Sequence, residues 1–472
     1  MRLSELTDIA AGSPDPDIAG LTHDSRQVRN GWLFAALPGS KADGRDYIHE
    51  AVARGAVAVL TAKGIAAEAA VNVASDNPRR DFSLMAAKFY SAQPRVIAAV
   101  TGTNGKTSTV HFTQQLWQSA GFKAVGIGTL GVSGAVAKTG SMTTPDPVSL
   151  HAELADLTRA GVTHVAMEAS SHGLDQHRLD GVRVTAAGFT NLTRDHLDYH
   201  GTMEDYRAAK ARLFDILDPD GVAVLNADAP EFNSLKTICT GRGIRVIGYG
   251  GKGADLWLTS RKAIPQGQEA EIEFFGQREK LAVPLVGSFM LMNALCAYGL
   301  AGIDRPRDLE KLQNAPGRLQ LVGRTRGAAV YVDYAHTPDA LENVLDALRP
   351  HTAGRLICMF GCGGDRDPGK RPIMGGISAA KADLTVITDD NPRTEKPEAI
   401  RDAIRHGAGM SAKIIGGRRE AIQWSVAQLK PGDVLVLAGK GHEQGQIFAD
   451  HVEPFDDVEE AKIAIKGLKG AA

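Results

Sequence analysis

The chain of 472 residues carries only four cysteines, Cys239, Cys296, Cys358 and Cys362, and no Cys-x-x-Cys pair. Neither a zinc site nor a disulfide framework is indicated, and a reducing compartment fits. No stretch approaches the ~18 apolar residues that a membrane span requires. The opening residues, Met1 to Asp8, lack the apolar run of a signal peptide. A soluble cytoplasmic protein without a membrane span is expected. There is no excess of either charge: Lys plus Arg is 53, Asp plus Glu is 55, and the net charge is −2. A nucleic-acid protein would show a basic excess, so no nucleic-acid partner is expected. Internal repeats and low-complexity tracts are absent. What is present is ordinary globular usage, 43% hydrophobic and 23% charged, with 52 glycines. That glycine content is about 11% against a usual ~7%. Many of these glycines fall beside apparent strand ends, where they suit phosphate-binding turns.

At ~150 residues per domain, the length suggests about three domains. Near the start, Trp32 to Ala36 and Ala56 to Leu60 look like strands. Asp76-Asn-Pro-Arg79 reads as a linker, because Asn-Pro disfavours helix, and a short helix over Phe82 to Tyr90 follows. From Val96 to Val100 the pattern becomes apolar strand, glycine-rich turn, helix. Val162 to Met167, Val184 to Phe189 and Val222 to Leu225 continue an alternation that signals a mostly parallel sheet. Asn314-Ala-Pro-Gly317 punctuates strongly. Beyond it come four apolar runs, Val330 to Val332, Leu356 to Phe360, Leu384 to Ile387 and Val434 to Leu437. Each leads into a polar loop. Ligands of open parallel sheets bind at the carboxyl ends of the strands, so these loops make one candidate rim.

The strongest motif is Thr101-Gly102-Thr103-Asn104-Gly105-Lys106-Thr107-Ser108, with a strand entering and a helix leaving. Backbone amides of such a turn can cradle phosphates, Lys106 can neutralise the β- and γ-phosphates, and the Thr107 hydroxyl can ligate Mg²⁺. The full pattern wants glycine at position 100, where this chain has Val100. Glu168, at the end of the next strand-like run, is placed for a second Mg²⁺ contact. The stretch Asn191 to His200 is dense in metal-capable side chains but has no ligand set at zinc spacing. His196 is expected near nucleotide or a second Mg²⁺. A helix is expected from Thr202 to Leu217, with Thr202 as cap and Asp205 completing a capping box. Tyr206, Lys210, Leu213 and Leu217 share its apolar stripe. By periodicity alone, Lys210 lays its stem along that stripe and sends its ammonium to water.

The last third offers four polar clusters: Asp333-Tyr-Ala-His336, with Thr337 capping a helix; Gly361 to Asp367; Asp389 to Arg393; and Gly439 to Glu443. Arg366 and Arg393 could each hold a carboxylate through a bidentate fork, and Asp390 and Glu443 could hold an ammonium. Any one cluster is a solvated loop. Two cations and two anions on one rim suit an amino-acid ligand.

Taken together these residues resemble the Mur ligase family over nearly the whole chain. The carrying segments are His23-Asp-Ser-Arg26, Thr101 to Ser108, Thr143-Thr144-Pro145, Glu168 to Gly173, Arg194 to His200, Tyr206 to Phe214, Asp333 to Pro338, Gly361 to Pro372, Asp390 to Arg393 and Gly439 to Glu443. Ala169 stands where valine is expected, a small departure. The resemblance implies an α/β protein of three domains: an N-terminal UDP-binding domain over 1–88, a central P-loop ATPase-like parallel-sheet domain over 89–316, and a C-terminal Rossmann-like domain over 317–472. It implies ATP as co-substrate on Gly102 to Ser108, Asn293, Arg318 and Asp333. It implies a UDP-sugar peptide on Ser25, Ser40, Lys41, Ala42, Thr143, Thr144, Ser170, Gln176 and Arg178. Lys210 matches a lysine that the family carbamylates, and Lys106, Glu168, His196 and Lys210 fall at catalytic positions. Mg²⁺ would meet Thr107, Glu168, His196 and the Lys210 carbamate.

Within the family, Asp390-Asn391-Pro392-Arg393 accompanies meso-diaminopimelate, with Arg366, Gly439 and Glu443 completing its site. Diaminopimelate has a distal carboxylate that lysine lacks. Arginines left without that partner penalise lysine. The expected reaction is ATP-dependent ligation of the diamino acid to the D-glutamate side chain of a UDP-N-acetylmuramoyl dipeptide, through an acyl phosphate, in peptidoglycan synthesis. The base that deprotonates the amine stays open, with His336 a candidate. A monomer is expected. Three rival readings are a lysine-adding ligase, a folylpolyglutamate synthase-like ligase and a nucleotide switch. The second would lack the Asp24-Ser25-Arg26 and Asp390-to-Arg393 segments, and the third leaves the paired charges of the last domain unexplained.

Overall fold

The computed structural model describes residues 1–9, 12–39, 42–67, 70–138, 140 and 142–470. Its contacts group into two compact units: Met1–Tyr249 with Gly299–Ile303, and Gly250–Tyr298 with Asp304–Ala472. The short return segment belongs with the first unit because the buried Trp117 indole donates to the Ala301 carbonyl at 3.0 Å.

The first unit opens with a parallel sheet of four strands, β1 (Gly20–Thr22), β2 (Trp32–Ala35), β3 (Ala56–Ala62) and β4 (Val71–Ser75), paired in that order. Asp76 to Arg79 is not the linker expected from its sequence. Asn77 caps a helix over Pro78–Tyr90 by accepting from the Arg80 amide at 3.1 Å. Proline at the first helical position loses only an amide that would be unpaired anyway, so Asn-Pro opens this helix.

A second sheet of the unit holds β5 (Val96–Thr101), β6 (Ala124–Gly128), β7 (Gly131–Gly134), β8 (His164–Glu168), β9 (Val184–Phe189), β10 (Leu217–Asn226) and β11 (Arg245–Gly250). Its order is β11-β10-β9-β5-β8-β6-β7, parallel except at β7. β5 is flanked on both sides, and Ile97 to Val100 are wholly buried. That burial makes it read as a continuous apolar run rather than an alternating strand. The helix expected over Thr202 to Leu217 spans Met203–Asp215, and Leu217 already begins β10.

The second unit contains an antiparallel meander, β12 (Leu256–Ile264), β13 (Gly267–Phe274) and β14 (Gln277–Val283), which the sequence reading did not foresee. Its main sheet holds β15 (Gln320–Thr325), β16 (Ala328–Asp333), β17 (Leu356–Phe360), β18 (Leu384–Ile387), β19 (Lys413–Ile414) and β20 (Val434–Ala438). The order is β15-β16-β20-β17-β18-β19, parallel except at β15. The four apolar runs expected beyond residue 317 are β16, β17, β18 and β20. Both units are α/β with parallel sheets. Among the described residues no helix is long and apolar enough to cross a membrane.

Candidate functional site

The turn after β5 tightens around Gly102 and Gly105, whose φ angles are +148° and +87°. A Cβ at Gly102 would stand 1.9 Å from the Thr190 hydroxyl oxygen. The loop is braced from the carboxyl end of β9. The Thr103 amide donates to the Asn191 carbonyl at 2.9 Å and the Asn104 amide to Asn191 Oδ1 at 3.0 Å. Thr190 donates to the Asn104 carbonyl at 2.6 Å. Two amides that sequence reasoning offered to phosphate are therefore engaged within the protein. The first-turn amides of the helix Lys106–Ser119, which lack helical partners, stand ready for an anion. Lys106 Nζ donates to the Gly102 and Thr103 carbonyls, each at 2.9 Å.

Thr107 and Glu168 meet as expected, hydroxyl to Oε1 at 3.0 Å. Sequence reasoning missed Thr129, whose amide also donates to Oε1 at 2.8 Å and whose hydroxyl lies 3.3 Å from Oε2. Gly128 makes room, since a Cβ there would lie 2.2 Å from Oε1. A recess lined by Thr107, His111, Gly126, Gly128, Ser133 and Glu168 adjoins them. Hydroxyl and carboxylate oxygens are the hard donors that Mg²⁺ prefers, so this pair fits the ion the resemblance implies. Among the described residues no group of three or more His, Cys, Asp or Glu side chains gathers to hold a metal.

Lys210 corrects the reading from periodicity. Its head does not reach water: the residue is 2% exposed and Nζ donates to the Gly102 carbonyl at 2.9 Å. Nζ also lies 4.3 Å from the Tyr206 ring centroid. Burial, with Lys106 as a second cation, pushes its pKa down to about 6. The amine is thus largely neutral at neutral pH. His196 takes a left-handed backbone, φ +51°, with its imidazole about half exposed. Its ring lies 4.9 Å from His172 and 6.2 Å from Tyr206.

Five of the residues assigned to a sugar peptide, Thr143, Thr144, Ser170, Gln176 and Arg178, converge around Thr129 and Glu168. Thr143 pairs with Thr129 through their hydroxyls at 3.1 Å. Thr144 donates to the Glu168 carbonyl at 2.9 Å and accepts from the Ser170 amide at 3.0 Å. Arg178 donates to the Thr144 carbonyl and to Gln176 Oε1, each at 2.7 Å. Tyr199, also missed, takes Gln176 Nε2 at 3.1 Å. The Ser25 hydroxyl is buried and donates to Glu50 at 3.1 Å. Ala42 is exposed, and Ser40 and Lys41 lie outside the described residues.

In the second unit Asn293 is buried on the helix Ser288–Ala301. Asp333 ends β16 and accepts from the Leu319 and Ala335 amides, both at 2.7 Å. Burial raises its pKa, against the pull of Arg318 and the two amides. The Arg318 guanidinium covers the Tyr334 ring at 4.5 Å. Asp390, Asn391 and Pro392 are buried after β18, and Arg366 is exposed. Arg393 has φ +53° and donates to the Gly364 carbonyl at 2.8 Å. Gly439 brings the other loop against this one, since a Cβ there would lie 2.7 Å from Asp390 Oδ2. Glu443 is already bonded, by Asn391 Nδ2 at 2.9 Å and Lys440 Nζ at 3.0 Å. Lys440 and Arg418, which donates to the Asp389 and Ala438 carbonyls, are the members sequence reasoning missed. The signal for Lys440 lay in its flanking glycines.

Family models match along the chain: the Mur ligase family catalytic domain over residues 17–89, the Mur ligase middle domain over 100–301, and the Mur ligase glutamate ligase domain over 317–441. The UDP-N-acetylmuramoyl-L-alanyl-D-glutamate–2,6-diaminopimelate ligase of Caulobacter vibrioides is 52% identical, over 99% of both chains. The Rhizobium meliloti protein of that name is 52% identical over 96% of this chain and 95% of its own. A solved structure of an enzyme with the same name aligns at TM-score 0.76 and 34% identity, over 99% of both chains. Mycobacterium tuberculosis folylpolyglutamate synthase aligns at TM-score 0.62 and 18% identity, over 83% of this chain and 95% of its own, a likeness of fold alone.

Proposed function

Because this chain belongs to the Mur ligase family, we propose that it performs the ligation named for its relatives: joining 2,6-diaminopimelate to UDP-N-acetylmuramoyl-L-alanyl-D-glutamate at the expense of ATP, in peptidoglycan synthesis. The observation that carries the choice of amino acid is the rim of the second unit, where Arg393 and the Asp390–Glu443 pair stand on adjoining loops. Lysine-adding and folylpolyglutamate-forming readings leave that guanidinium without its carboxylate.

The D-glutamate side-chain carboxylate attacks the γ-phosphorus of ATP, giving an acyl phosphate and ADP. The amine of diaminopimelate then attacks the acyl carbon, loses its proton, and phosphate leaves. Lys106 and the first-turn amides of its helix offset the charge of two anions brought together. Thr144, Ser170, Gln176 and Arg178 position the acceptor peptide, Ser25, Ser40, Lys41 and Ala42 its UDP end. Asn293, Arg318 and Asp333 serve the nucleotide. Thr107, Glu168, His196 and a carbamate on Lys210 would hold Mg²⁺, which would supply further charge neutralisation at the phosphates. The neutral, buried amine of Lys210 supports the carbamate. The family models support division into domains over 1–88, 89–316 and 317–472. A monomer working in the cytoplasm completes the reading.

The test is phosphate release with ATP, Mg²⁺ and the UDP-muramoyl dipeptide, adding diaminopimelate or lysine in turn. Release with diaminopimelate and little with lysine is expected. Equal release with both would refute the amino-acid assignment.

A further inference from the structure

Lys440 is wholly buried, and its ammonium meets two acceptors, Asn391 Oδ1 at 3.0 Å and Glu443 Oε2 at 3.0 Å. The backbone explains why a lysine enters here. Gly439 and Gly441 flank it at φ +114° and +57°. A Cβ at Gly441 would lie 2.7 Å from Tyr334 Cβ, and one at Gly439 would lie 2.7 Å from Asp390 Oδ2. The turn is pressed against both neighbours and carries the side chain between its glycines inward. Asn391 completes a triangle: Nδ2 donates to the same Glu443 oxygen at 2.9 Å, and Oδ1 also accepts from the Ile447 amide at 3.0 Å. Glu443 keeps about a third of its side chain exposed, at 34%.

The charges matter more than the bonds. Asp390 and Glu443 contribute two negative charges to the rim, and Lys440 cancels one of them. Arg418 is nearby but has its own counter-ion, since Asp457 pairs with it at 2.6 Å and both side chains are fully buried. With Arg366 and Arg393 left to the carboxylate they would pair, Asp390, Glu443 and Lys440 together present one net negative charge to an ammonium arriving between the two carboxylates.

We propose that Lys440 is a positioning and specificity-determining residue for the amino-acid substrate. Its ammonium fixes Glu443 and Asn391 and halves the acidity of the rim. A bare ammonium, the distal end of lysine, is then held too weakly by charge alone. A zwitterionic head is held because Arg393 takes its carboxylate as well. The inference rests on the assignment of residues 366, 390–393 and 439–443 to the amino-acid site.

The experiment measures kcat/KM for diaminopimelate and for lysine, with KM for ATP, in the full-length enzyme and its variants. Lys440→Met should narrow the preference for diaminopimelate over lysine by roughly tenfold or more, with KM for ATP within about twofold. A structural defect alone would lower both amino acids alike, and an unmoved ratio overturns the proposal. Should Lys440→Met fail to fold, the charge pair is tested in a second background. Glu443→Gln leaves Asp390 and Lys440 in balance, with no net charge for an ammonium, and should cost use of both amino acids. Adding Lys440→Met to it returns the net charge to −1 and should recover use of diaminopimelate by about tenfold. No recovery overturns the proposal. Arg393→Ala, measured alongside, separates the two levels. A loss confined to diaminopimelate upholds the site whatever Lys440 does, whereas equal loss on ATP removes the site and this inference with it.

Discussion

Lys106 and Lys210 donate to one carbonyl oxygen, that of Gly102, each at 2.9 Å. Two ammonium groups on one acceptor repel, and the buried one yields its proton. Burial is the larger cause and Lys106 the smaller, and together they bring Lys210 to about 6.

A neutral lysine amine adds CO₂, so the purified protein should carry the mass of one carbamate that Lys210→Ala lacks. Depleting CO₂ should lower activity and bicarbonate should restore it. Below about pH 6 the ammonium returns and the adduct should be lost. Stability follows the same interval. The unfolded chain binds the extra proton between about pH 6 and the ordinary lysine value of 10.5, so this group's contribution rises with pH there. Intact mass spectrometry showing no adduct, with no response to bicarbonate, would sink the carbamate.

Gly128→Ala should displace the Glu168 carboxylate, because the added methyl would sit 2.2 Å from Oε1. A shift of ~1 Å at such a position can cost about a hundredfold in kcat. Thermal unfolding and steady-state kinetics on one preparation check it. A loss of melting temperature with kcat intact would contradict the placement of Glu168.

Lys106→Ala should abolish phosphate release while leaving the circular dichroism spectrum unchanged, since the side chain contacts loop carbonyls rather than core. Normal turnover by that variant would remove the phosphate loop from the mechanism.

Arg418→Met should destabilise the second unit by about 3–5 kcal/mol, because Asp457 would be left as a buried charge without a partner. Replacing both, Arg418→Met with Asp457→Leu, should recover much of that loss. Denaturant titration of the single and double variants decides it, and equal stability of the two would count against the pair.

β5, β8, β9 and β10 of one main sheet and β16, β17, β18 and β20 of the other were legible because buried parallel strands are short apolar runs ending in polar loops, whereas β6, β7, β11, β15 and β19 were not foreseen. β17, β18 and β9 match their expected spans, and Thr107 with Glu168 met as the phosphate-loop pattern required. The β12–β14 meander was not legible. Its mixed residues, with lysine, glutamate and arginine along half-exposed strands, lack that apolar signature. Asn77 was misread because the same Asn-Pro pair that ends one helix can open another. Lys210 was misread because periodicity reports which face a residue lies on and nothing about the depth of its head. Thr129 was invisible for a third reason: it acts on Glu168 from 39 residues away, and only the folded sheet supplies that adjacency, as it supplies the link from Lys440 to Asn391 across 49 residues.

Asn191 pairs with Asn104 by both ends of its amide, accepting from the backbone N–H at 3.0 Å and donating to the carbonyl at 3.3 Å, across 87 residues of chain. Two amides of the glycine-rich signature, those of Thr103 and Asn104, are thus scaffolding held by a residue outside the phosphate-loop motif. In descent, positions 104 and 191 should drift as one, and a graft of the loop onto another sheet would lose its shape unless that asparagine travelled with it.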